Sequence, residues 1–150
     1  MSLLKQEIYN LCREYIESRI KTIENAIQAA RESSIDDTKS SAGDKYETGR
    51  EMMQQEIDRN TKQLFEAGKL RLALQGISTE STDEIIKSGS LVFTNFGVFY
   101  IAVSAGQLKL NGQDYFAVSA SSPIGMQLIN LKKGDKFDFN GRNYLIVDVQ

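Results

Sequence analysis

The sequence predicts an α+β protein in two parts. Residues 1–76 form an antiparallel helical hairpin, a coiled coil, and residues 77–150 form an antiparallel β-sheet domain with one short helix. Three observations predict this. Apolar residues recur every three or four positions as far as Leu74, the period of a helix face. After Gly76 the pattern changes to short β-branched and aromatic runs with two-residue alternation. The charge density changes at the same place: residues 1–77 hold 12 basic and 13 acidic side chains, residues 78–150 only 6 and 7.

The first helix is read from Tyr9, Cys12, Ile16, Ile20, Ile23, Ile27 and Ala30, which step by threes and fours along one face. Leu4, Ile8, Leu11 and Tyr15 widen that stripe near the start. A helix over residues 3–32 would be ~45 Å long at 1.5 Å per residue. Small and polar residues from Ser33 to Gly43 break the pattern and read as a loop, which puts the hairpin tip at about 33–45. The face resumes at Tyr46 and continues through Met53, Ile57, Leu64 and Ala67. Asn60 takes a seam position, where one buried amide can fix register at some cost in stability. Gly76 is the stop signal.

The strands are read from Leu91–Phe93, Val98–Val103, Leu108–Leu110, Tyr115–Val118, Lys136–Phe139 and Tyr144–Val147. Asn111-Gly112 and Asn140-Gly141 are two-residue hairpin turns, because both positions of such a turn need a positive φ. Between the two hairpins, Ser122 can cap a helix that Pro123 opens at its first position, with Gly134 beyond its end. Residues 78–89 read as a linker with a helical turn around Asp83–Lys87.

Composition excludes whole classes of chemistry. There is no histidine, one cysteine and one proline, and the net charge is −2. Without imidazole there is no Ser-His-Asp or Cys-His nucleophile and no His-ligated zinc. One cysteine makes neither an internal disulfide nor a CxxC knuckle. The net charge does not suit an electrostatic nucleic-acid binder. No apolar run approaches the ~20 residues of a membrane span. Met1-Ser2-Leu3-Leu4-Lys5-Gln6-Glu7 has no signal-peptide core, so a cytoplasmic location and no membrane partner are expected.

Individual residues have structural readings. Asp44-x-x-Glu47 at a helix start is a capping-box variant. Asp36 and Asp37 read as part of a solvated loop. The 12-residue span from Asp36 to Glu47 is not an EF-hand, since Ser41 stands where that loop needs glycine. Cys12 reads as a small buried hydrophobe. Phe93, Phe96, Phe99, Tyr100, Tyr115, Phe116, Phe137, Phe139 and Tyr144 read mostly as sheet core.

Two segments resemble the Gre-type transcription elongation factors of bacteria. Ser122-Pro123-Ile124-Gly125-Met126-Gln127-Leu128-Ile129-Asn130-Leu131-Lys132-Lys133-Gly134-Asp135 looks like that family's S-P-[IL]-x-x-x-L-[IL]-x-x-x-x-G-D signature. Gly43-Asp44-Lys45-Tyr46-Glu47 looks like its G-D-x-x-E, which opens the second helix. The resemblance implies an FKBP-like second domain that docks on RNA polymerase at the secondary channel, with Ser122, Pro123, Ile124 and Gly125 at the contact. It implies that Asp44 and Glu47 are lent to the polymerase active site. There they share Mg²⁺ with polymerase, so that polymerase cleaves its own backtracked RNA.

In this reading the chain is not an enzyme alone. It holds no cofactor stably by itself, takes Mg²⁺ only in the polymerase complex, meets the nascent RNA 3′ end indirectly, and acts as a monomer. The chemistry is coherent, because Mg²⁺ takes one or two carboxylates and keeps several waters, and a second metal stabilises attacking and leaving oxygens. After Glu47 the family usually continues Asn-Ala-Glu-Tyr, whereas this chain reads Thr48-Gly49-Arg50-Glu51. An inhibitor or pause modulator with the same docking is therefore an alternative. A coiled-coil adaptor is an alternative of another class.

Overall fold

A computed structural model describes residues 3–40, 44–80 and 84–150, with side chains described outside residues 34–48. Helix α1 spans Leu3–Ser40 and α2 spans Asp44–Gln75, and the two pack together as a hairpin. Six strands and one short helix follow: β1 (Leu91–Thr94), β2 (Gly97–Ala102), β3 (Gly106–Leu110), β4 (Gln113–Ser119), α3 (Pro123–Leu128), β5 (Lys136–Phe139) and β6 (Arg142–Val149). The fold is α+β, as the change of period predicts. Among the described residues no helix is long and apolar enough to cross a membrane.

The chain divides into two compact units. One comprises Ile16–Leu70. The other joins Met1–Tyr15 to Arg71–Gln150, so the base of the hairpin belongs with the sheet. In the hairpin unit, Ile16, Ile20, Ile23, Ile27 and Ala30 are buried. Their steps alternate four and three, the 3.5-residue repeat of a left-handed coiled-coil seam. From α2, Ala67 is buried and Met53, Ile57, Asn60 and Leu64 are half-buried at the same alternation. Burial of each isoleucine contributes about 1.5–3 kcal/mol before entropy is counted.

Two expectations change. The segment from Ser33 is helical as far as Ser40. It contains neither glycine nor proline, so nothing stops the helix where its apolar face ends. The helical turn expected around Asp83–Lys87 is not formed over Glu84–Lys87. Glu84 lies in a bend there, and Ile85 makes an antiparallel bridge to Lys132.

The sheet order is β3-β4-β2-β1-β6-β5. Every pairing is antiparallel except β2 with β4, where Phe99 lies opposite Phe116 and Tyr100 opposite Ala117. β4 fills the gap that the chain leaves on passing from β2 to β3. Both Asn-Gly turns form as expected, with φ of 52° and 80° at Asn111-Gly112 and 51° and 77° at Asn140-Gly141.

Alternation gives the sheet two buried faces. On one face Val92, Phe99, Ile101, Tyr144 and Ile146 pack with Leu128 of α3 and with Ile86. Leu91 and Tyr100, paired across β1 and β2, are fully buried on the other.

Candidate functional site

The segment from Ser119 to Asp135 is built from short-range bonds. The Ser122 hydroxyl donates to the Ser119 carbonyl at 2.7 Å and accepts from the Gly125 N–H at 3.1 Å, which caps α3. Pro123 follows at the first helical position, where its missing N–H costs nothing. Gly125 is buried against the Ser119 carbonyl, with no room for a Cβ. Leu128 is fully buried in the core, and Ile124 and Ile129 are half-buried against it. α3 then ends, and Asn130 turns the chain with φ 73°. Gly134 has φ 93° and donates to the Ile146 carbonyl at 2.8 Å. The Asp135 carboxylate accepts from the Lys132 N–H at 2.9 Å and closes the turn.

Each fixed position of the signature thus has a local job in the fold. Of the four residues expected at a polymerase contact, Ser122 caps, Gly125 permits a close approach and Ile124 packs inward. Only Pro123 is exposed. The outward positions are Pro123, Met126, Gln127, Asn130, Lys132 and Lys133, and the Met126 side chain is 64% exposed. Lys132 and Lys133 also line an open cleft of about 510 Å³ with Glu84, Asp148 and Val149. All of this outward set but Pro123 stands at variable positions of the motif, although the variable positions also include the buried Gly125 and the half-buried Leu131.

The side chains of Asp44 and Glu47 lie outside the described residues, as do those of Asp36 and Asp37. Asp44 is the first residue of α2. Among the described residues no three carboxylate or thiol side chains come together as a metal site.

An aromatic row runs along the α3 face of the sheet. Tyr144 stacks on Phe137 at 4.8 Å and meets Phe96 edge-on at 5.1 Å. The Arg142 guanidinium lies 5.2 Å from the centre of the Phe96 ring. Phe96 sits in the β1–β2 turn, which Asn95 ties to β6 by accepting from the Leu145 N–H at 2.9 Å and donating to the Asn143 carbonyl at 3.1 Å.

A polar layer lies at the base of α1, and sequence reading missed it. Lys5 is fully buried. Its ammonium donates to the carbonyls of Glu80 at 3.0 Å and Gln150 at 3.4 Å. Desolvation, and then the positive charge of Lys87, lower its pKa. The Tyr9 hydroxyl donates to the Leu74 carbonyl at 3.1 Å. Cys12 is fully buried, and burial pushes its thiol up to about 12. The Tyr100 phenol is raised by burial first and then by its neighbours Cys12 and Tyr9. Among the described residues its hydroxyl has no hydrogen-bond partner. The available signal was spacing: Lys5, Ile8, Cys12 and Ile16 lie on one helix face.

Compared with models of known protein families and with curated proteins, the chain matches none.

Proposed function

We propose that this chain is a Gre-like transcription factor that binds bacterial RNA polymerase through the sheet unit and presents the hairpin tip to the secondary channel. The observation that carries the reading is the Ser122–Asp135 segment. Its serine cap, its opening proline, its buried leucine and its closing Gly-Asp turn occupy fixed positions of the Gre-type signature. The order of elements supports it too, with two long paired helices ahead of a sheet that carries one short helix.

In this reading the fixed residues of the signature hold the docking surface in shape. The outward Pro123, Met126, Gln127, Asn130, Lys132 and Lys133 make the contact. Asp44 and Glu47 supply oxygen ligands to a Mg²⁺ shared with polymerase, where the metal stabilises attacking and leaving oxygens of the RNA phosphodiester. The protein is then an accessory to polymerase and not itself an enzyme. Thr48-Gly49-Arg50-Glu51 favours one second reading, a factor that docks in the same way and inhibits or modulates pausing.

The test is transcript cleavage. Purified protein is added to backtracked complexes with Mg²⁺, and release of short 3′ RNA fragments is measured. Fragments are expected, and Asp44→Ala with Glu47→Ala should lower their rate at least about tenfold, ~1.4 kcal/mol at the barrier. Polymerase binding without fragments replaces the cleavage reading with the inhibitor reading. No binding at all removes the polymerase reading, and equal cleavage by the double variant removes the assignment of Asp44 and Glu47.

A further inference from the structure

The seam between the first turns of α1 and the sheet is closed by apolar contact but contains a polar group that water would serve well. Ile8 and Cys12 are fully buried there, and beside Cys12 and Tyr9 stands the buried Tyr100 hydroxyl, which has no partner among the described residues. A hydroxyl that exchanges water for nothing on closing penalises the closed state.

We propose that the first turns of α1 are a strap that opens locally from the sheet, driven by rehydration of the Tyr100 hydroxyl, while the sheet stays folded. The sheet has its own reasons to persist. The core around Leu128, Ile101 and Ile146 lies on the α3 face and uses no residue of α1. Strands β1 and β2 keep their ladder, and the Ile101 N–H stays bonded to the Ser90 carbonyl at 2.9 Å. Local openings of this kind cost less free energy than global unfolding and expose less surface. This inference does not depend on the polymerase reading.

Cys12 reports the opening. In the closed state its thiol is buried and protonated, so an alkylating reagent reacts only when the strap lifts. The experiment measures iodoacetamide labelling of Cys12 in the whole protein across low urea concentrations, alongside hydrogen exchange at the Ile101 amide. The expected result is labelling faster than global unfolding permits, nearly independent of urea, with Ile101 still protected to the global limit. Tyr100→Phe removes the unpartnered hydroxyl, and labelling should slow about tenfold, equivalent to ~1.4 kcal/mol. Labelling that follows global unfolding with its full urea dependence overturns the strap. Tyr100→Phe labelling at the wild-type rate overturns the hydroxyl as its driver. Should that variant fail to fold, the wild-type urea dependence and the comparison with Ile101 decide the matter alone.

Discussion

The carbonyl oxygen of Ser119 occupies the space that a Cβ on residue 125 would need, so only glycine fits opposite it. The Ser122 hydroxyl presses on the same spot, 2.8 Å from that Cβ position. Gly125→Ala must therefore move either the end of β4 or the first turn of α3. A loss of about 1–3 kcal/mol is expected, the usual cost of overpacking a rigid site. Urea denaturation measures it. A Gly125→Ala protein as stable as wild type would mean that α3 yields freely.

Ser122→Ala removes an acceptor for the Gly125 N–H and a donor to Ser119 in one step. The expected loss is about 1 kcal/mol, with Ser122→Asp recovering part of it through the N–H contact. Thermal melts of the three proteins check this. If polymerase binding falls in Ser122→Ala in proportion to stability and no further, the residue holds the surface without touching the partner.

Lys5→Met keeps the bulk of the side chain and removes the donor. The carbonyls of Glu80 and Gln150 lose that ammonium, and a loss of about 1–3 kcal/mol is expected. Chemical denaturation at neutral pH reads it. An unchanged midpoint would show that the ammonium's own desolvation cancels its bonds.

The thiol of Cys12 makes stability depend on alkaline pH. Its ordinary value of 9.0 is raised to about 12 in the fold. Between those values the folded chain keeps a proton that the unfolded chain releases. Stability from this group is therefore complete below about 9 and is lost as pH rises toward about 12. Lys5 works in the opposite sense. Its lowered pKa means that the folded chain sheds a proton first, so this group adds stability as pH rises toward 10.5. Cys12→Ala should flatten the alkaline fall relative to wild type, and denaturation midpoints at a series of alkaline pH values measure the difference.

Much of the fold was legible because local chemistry decided it. Asn111-Gly112 and Asn140-Gly141 demanded positive φ at paired positions and obtained it. Ile16 through Ala30 declared their seam by spacing. The end of α1 was not legible, because Ser33–Ser40 lack an apolar face yet carry nothing that forbids a helix. The parallel pairing of β2 with β4 was hidden for another reason. It depends on which strand enters a gap left elsewhere in the sheet, and no residue of β2 encodes that. At the candidate site, the cap at Ser122 and the place of Pro123 were legible, but the inward packing of Ile124 and the close approach at Gly125 were not. The burial of Lys5 was not legible, since nothing in its neighbours announces carbonyls from Glu80 and Gln150.

The alternation of four and three along the hairpin has a consequence for its length. A heptad advances a helix by ~10.5 Å and returns the seam to the same side. Removing or adding one residue turns every later seam position away from the opposing helix. Natural or engineered change in this arm is therefore graduated, like marks on a ruler, in paired steps of seven taken from both helices at once. Reach can then be lengthened or shortened in those steps while the base of α1, the end of α2 and the sheet remain as they are.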